Sequence, residues 1–289
     1  MKKIQKLYKK HNEWLSNSQN IPAREQEYLD KYLYDNNMNS LQHVADSLGF
    51  LASFYGKKGL VAINDGISSG WEDASKAIHY RYWALKIFCK TYSKTLFLKS
   101  LTGGPNLTNE MSIAGNLLAC FIAIGKDDMA SFTFDLLVQM VSVKGVIDEK
   151  HLQARRFEFF ILWLYSISHN IRLPHNVKFS ALGVYQEVIN CWECEKGLES
   201  ALMGLCNYHL ANMVDYGGNW DPEFKKSPFD LLPLEIRAIY VVREKMGLST
   251  PNIAHPLLNT PAASVENLTI VPDQLINQVE SVFNSFFNE

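Results

Sequence analysis

Apolar positions along this 289-residue chain recur mostly at spacings of three and four, the period of a helix that buries one face. Between Ser75 and Leu98, the residues Ile78, Tyr82, Leu85, Cys89, Tyr92 and Leu96 form one stripe, and Lys76, Lys86, Lys90 and Lys94 fall off it. That segment reads as an amphipathic helix with His79 and Arg81 on its exposed side. Similar patterns predict helices near 3–18, 23–35, 38–55, 71–98, 108–124, 127–143, 148–170, 176–194, 198–214, 231–246 and 272–287. Gly103-Gly104-Pro105, Gly125-Lys126-Asp127, Lys144-Gly145, Leu173-Pro174, Gly217-Gly218 and Gly247 with Pro251 punctuate them, and links this short make sequential helices antiparallel neighbours. Strand signals are scarce, with Gly59 to Ile63 the one candidate for a short extended piece.

The expected fold is therefore all-α, an antiparallel bundle of roughly ten to eleven helices without a significant sheet. It is read as a single domain over 1–289, the alternative being N-terminal helices at 1–65 and a main bundle at 66–289 that ends in a strap. Two stretches break the helical pattern. Asp215 to Ser227 is polar and glycine-bearing but holds Trp220 and Phe224, and Ser249 to Pro272 carries four prolines. Loops of this length inside a compact domain tend to be functional or disordered.

Composition narrows the function classes. A hydrophobic content of 47% supplies a substantial core, and a net charge of −2 lacks the surplus of Lys and Arg that a general binder of nucleic acid or anionic membrane needs. The charge is unevenly spread: 1–60 and 61–186 each carry +3, whereas 187–289 carries −8. An acidic final third suits encounter with a basic partner. Five cysteines and an amphipathic, charged start (MKKIQKLYKKHNEWLSNSQ) lead to the expectation of a reducing cytoplasm. The most apolar run, Phe159 to Ile167, is too short to span a bilayer and reads as a buried helix.

Only one stretch looks like chemistry. CWECEKGLESALMGLCNYH holds Cys191, Cys194, Cys206 and His209, the residue types of a zinc site, which requires four donors converging on one point. With a turn at Lys196-Gly197 and a rise of about 1.5 Å per residue, the two pairs sit at different heights. Burial on a stripe with Leu198, Leu202 and Leu205 fits Cys206 and His209 better, and a hydrogen-bonded histidine is the expected role of His209. A helical metal-binding enzyme or sensor built on these four residues is kept as the alternative, as is a helical scaffold. The acid pairs Glu72-Asp73, Asp127-Asp128 and Asp148-Glu149 stand at predicted helix starts, where the helix dipole favours carboxylates. Gly103-Gly104-Pro105 lacks the Lys and Ser/Thr of a phosphate loop, and neither His-Glu-x-x-His nor Gly-x-Ser-x-Gly occurs. Pro228 to Leu248 reads as a helix with Pro233 in its first turn, Gly247 at its cap, and Arg237, Arg243 and Glu244 at its polar margin.

The run LCNYHL (Leu205 to Leu210), the polar loop after it, PFDLLPLEIRAIYVVREKMGL and then HPLLNTP (His255 to Pro261) resembles the C-terminal signature of all-helical immunity proteins from bacterial polymorphic-toxin and type VI secretion loci. The resemblance covers about the last third of the chain. It implies a cytoplasmic protein that is not an enzyme, holds no cofactor or metal, binds neither nucleic acid nor membrane, and neutralises a cognate toxin by contact. The contact residues expected are Asp215, Trp220, Asp221, Glu223 and Phe224 in the polar loop, with Glu193, Glu195 and Glu199 beside them. Aromatic anchors ringed by charge make tight interfaces; the alternative reading is that Trp220 and Phe224 pin the loop to the helices.

Overall fold

The computed structural model describes residues 2–35, 37–93, 107–175, 177, 182–213 and 222–287. Among them the fold is all-α, with no strand and two short 3₁₀ turns, at Pro261–Ala263 and Val265–Asn267. The helices are α1 (Lys2–Ser16), α2 (Ile21–Tyr34), α3 (Ser40–Asn64), α4 (Gly70–Ser93), α5 (Thr108–Ile124), α6 (Asp127–Ser142), α7 (Glu149–Ala154), α8 (Phe157–His169), α9 (Val184–Asn190), α10 (Glu195–Asn212), α11 (Leu234–Lys245) and α12 (Gln274–Phe287). No helix among the described residues is long and apolar enough to cross a membrane. The Phe159 to Ile167 run lies within the short α8.

The chain forms two compact units. One unit comprises Gln5–Gly103 and Asn267–Glu289, and the other Met1–Ile4 and Gly104–Glu266.

In the first unit α3 and α4 form a long hairpin, with α2 against α3 and α12 against α2 and α4. Its core combines Leu29 of α2, Leu41, Leu48 and Leu51 of α3, Tyr80, Trp83 and Ile87 of α4, and Leu275, Ile276, Val279 and Phe283 of α12. The hairpin crosses in backbone contact. A Cβ added at Gly59 would fall 2.6 Å from both the Ala74 nitrogen and the Gly70 oxygen, and one at Gly70 would fall 2.7 Å from the Gly59 oxygen. Here the expected extended piece at Gly59 to Ile63 is corrected: α3 runs on through it, and the glycine permits close packing instead of ending the helix. His79 and Arg81, assigned above to the exposed side of α4, are buried. Asp273 secures α12, accepting from the Ile276 N–H at 2.9 Å and the Tyr80 hydroxyl at 2.6 Å and pairing with Lys76 at 3.2 Å. Asp273, Tyr80 and Lys76 line a cleft of about 390 Å³ with Tyr55, Gln26 and Asp30.

In the second unit α5 is buried along most of its length and packs against α6, α8 and α11. The predicted helix at 148–170 breaks at Arg155-Arg156 into α7 and α8; of the one at 176–194, residues 176 and 178–181 lie outside the described residues, and α9 ends at Asn190. Asp148 caps α7 by accepting from the His151 N–H at 3.0 Å, and Asp127, Asp128, Glu72 and Asp73 occupy first turns as the dipole favours. Gly125 and Gly247, at φ +66 and +72, end α5 and α11 in the left-handed conformation that a residue without Cβ adopts at little cost. After α11 the strap lays down Ile253, Leu257, Ala262 and Val265, all buried.

Candidate functional site

The chemistry-bearing residues of the second unit gather around the segment that leads into α11. Backbone N–H groups at the start of a helix have no partner within it, and Arg156, at the cap position of α8, makes no side-chain cap. Glu223, more than sixty residues later in the chain, supplies one: its Oε1 accepts from the N–H of Arg156 at 3.2 Å and of Phe157 at 3.3 Å. The Asn116 amide donates to the Glu223 carbonyl at 3.1 Å, and the Phe224 N–H donates to the Asn212 carbonyl at 3.0 Å. The Phe224 ring lies stacked on His209 at 4.2 Å and edge-on to Phe157 at 5.0 Å.

A second carboxyl group enters the same buried place. Glu158 sits with its Oε1 3.9 Å from the Arg155 Nε, and both side chains are almost fully enclosed. Gly115 makes room for it, since a Cβ there would lie 2.8 Å from the Glu158 Cγ. Burial pushes the Glu158 carboxyl up to about 7; Arg155 opposes the rise and neighbouring Glu223 adds to it. Burial also raises Glu223, against Arg155 and the N–H donors that favour its charged form. The hydroxyls of Tyr185 and Tyr208 are held above the ordinary tyrosine range by burial and then by Glu223.

His209 is the hub of a neighbouring set. Its Nδ1 donates to Glu235 Oε1 at 2.7 Å and its Nε2 to the Asp230 carbonyl at 3.2 Å, with imidazole and carboxylate both sealed from solvent. Burial by itself lowers the imidazole, but Glu235 and the Asp230 carbonyl outweigh it and the net direction is upward. Ser227 Oγ donates to Asp230 Oδ2 at 2.8 Å. Arg243, placed by its spacing at a polar margin, is in fact buried; it donates to the carbonyls of Trp192 and Ser249 and lies over the Trp192 ring at 5.3 Å. His255 meets Asn207 at 3.2 Å. The signature residues His209, Asp230, Glu235, Arg243 and His255 thus serve as buried polar fasteners.

Two of the expected contact residues need correction. Glu223 and Phe224 are 5% and 1% exposed, so both are internal anchors and not surface contacts. Asp215, Trp220 and Asp221 lie outside the described residues. Glu193, Glu195 and Glu199 are exposed, carried by the turn after α9 and the start of α10. Nor do the four sulfur and imidazole residues converge. Cys206 and His209 point into the core, Cys194 is exposed, and Cys191 is half-buried. Among the described residues no three of His, Cys, Asp and Glu stand together as a metal-holding group. The Arg155–Glu158 pair escaped sequence reading, although the three charged residues in ARRFEFFILW, at the mouth of the most apolar run, mark the place where the helix breaks.

No protein-family model, curated protein or solved structure matches this chain.

Proposed function

We propose that the chain is an immunity protein that binds a cognate antibacterial toxin and neutralises it by contact, without turning over a substrate. Two things support the reading. One is the resemblance of the signature at 205–261 to such proteins. The other, which carries the assignment of the surface, is the exposure of Glu193, Glu195 and Glu199 on a turn whose Trp192 is locked into the core by Arg243. A rigid acidic patch of this kind suits a toxin with a basic face, and a nuclease effector, which must hold phosphates, has one.

The test has two arms. Co-expression with the neighbouring open reading frame is expected to spare cells that this frame alone kills; survival no better than with an empty vector removes the immunity reading. In the purified pair, Glu193→Lys, Glu195→Lys and Glu199→Lys together are expected to slow association at least about ten-fold at low salt, with much of the difference erased by high salt. An unchanged association rate in a variant of intact helicity removes this surface and leaves the toxin to another face.

A further inference from the structure

The turn that displays the acidic residues also displays two thiols. We propose that Cys191 and Cys194 are a reversible redox site, closing an intramolecular disulfide on reaction with a small-molecule disulfide such as oxidised glutathione. The site is built by three local features and does not depend on the immunity reading.

The first is the turn. The helix expected through 194 stops at Asn190, and the Cys194 N–H donates to the Cys191 carbonyl at 3.1 Å. Such a bond closes a four-residue β-turn whose end Cα atoms lie within about 7 Å, and a disulfide spans Cα separations of roughly 4.4–6.8 Å. The second is access. Cys194 is exposed and Cys191 half-buried, whereas Cys89, Cys120 and Cys206 are enclosed. The third is convergence on the kink that opens α10. Cys194 Sγ lies 3.5 Å from the Lys196 carbonyl, and Cys191 Sγ lies 3.1 Å from the point where Gly197 would carry a Cβ. Gly197, at φ +98, therefore gives the backbone its left-handed step and leaves space for sulfur. Between the thiols, Trp192 is buried, with its ring edge-on to Trp163 at 5.1 Å and its carbonyl held by Arg243. A turn pinned at its middle loses little further freedom when its ends are joined.

The chemistry is thiol–disulfide exchange. One cysteine thiolate attacks a sulfur of oxidised glutathione, forming a mixed disulfide and releasing one glutathione thiolate. The second cysteine thiolate then attacks the cysteine sulfur of the mixed disulfide and releases the other glutathione. The two cysteine sulfurs give up two electrons, the glutathione disulfide gains them, and the two thiol protons end on the two glutathione molecules.

The experiment uses the full chain, reduced and desalted, then incubated with oxidised glutathione, blocked with an alkylating agent and measured by intact and peptide mass spectrometry. The expected product is a monomer in which the peptide containing 191–194 has lost two hydrogens, carries neither glutathione nor alkyl group, and recovers both thiols on treatment with dithiothreitol. Cys191→Ser and Cys194→Ser are each expected to stop at a mixed disulfide one glutathione heavier. A wild-type protein that retains glutathione on this peptide, couples chain to chain through it, or still alkylates both cysteines would overturn the proposal. Because the decisive measurement is on the unmutated chain, a misfolded variant does not obscure it.

Discussion

Arg155 brings one positive charge to a buried place where Glu158 and Glu223 bring two carboxyl groups. Both carboxylates cannot be balanced by it, and Glu158, without the two N–H donors of Glu223, is the acid that holds a proton near neutrality. The sign of the pH dependence follows. With a folded value of about 7 against an ordinary 4.5, Glu158 binds more protons folded than unfolded between those limits. Its contribution is largest at the acid end of that window and is lost as pH rises through 7. His209 acts in the same direction, its contribution complete below the ordinary imidazole value of 6.5 and lost as pH climbs through the raised folded one. Unfolding midpoints in denaturant are therefore expected to fall from about pH 5 to pH 8. Glu158→Gln, which leaves Arg155 balanced by Glu223 alone, is expected to flatten that slope and to gain about 1–3 kcal/mol at pH 8. Glu223→Ala is expected to lose about 2–4 kcal/mol in the same titration, because it strands the N–H groups of Arg156 and Phe157 and removes a carboxyl group that interacts with the buried Arg155 charge. None of this is legible along the chain, where Glu223 reads as a loop acid beside Asp221; its burial is set by partners near residue 156, which spacing patterns do not reach.

Helix existence was readable from spacing, and helix ends where glycine adopts positive φ: Gly125 and Gly247 stop α5 and α11 as their positions suggest. What periodicity misjudges is glycine used for proximity. Gly59 looks like an exit from α3, yet the helix passes through it, and the reason lies on the facing helix, at Gly70 and Ala74. Two substitutions in α3 separate the cases. Gly59→Ala is expected to force the hairpin apart and cost about 2–4 kcal/mol, since its added methyl would meet backbone atoms at 2.6 Å. Gly49→Ala, with nothing within 4 Å of the new carbon, is expected to gain roughly 0.5–1 kcal/mol through helix propensity alone. Chemical denaturation of both reads the opposite signs. The sulfur stretch shows another limit of spacing: it reads as two regular helices meeting at Lys196-Gly197, which already set the zinc-like pairs at different heights, whereas the chain puts a β-turn and a kink between Asn190 and Leu198.

At the scale of the molecule, the all-α class was evident from the near absence of alternating apolar runs, but the division into units was not. Contiguous stretches of sequence suggest contiguous units, whereas α12 returns to the core of α2, α3 and α4 after the whole intervening unit. Removing α12 strips Leu275, Ile276, Val279 and Phe283 from that core. Truncation after Val271 is expected to abolish slow amide exchange in α3 and α4, measured by hydrogen–deuterium mass spectrometry, and Phe283→Ala to cost about 3–5 kcal/mol. The same topology has a consequence for biosynthesis. On a ribosome adding ~5–20 residues per second, α2 to α4 emerge roughly 10–40 s before the helix that seals them. Through that interval Leu48, Trp83 and Ile87 stay open to solvent with one wall of their enclosure still to be translated, so the helices made early are among the last to mature.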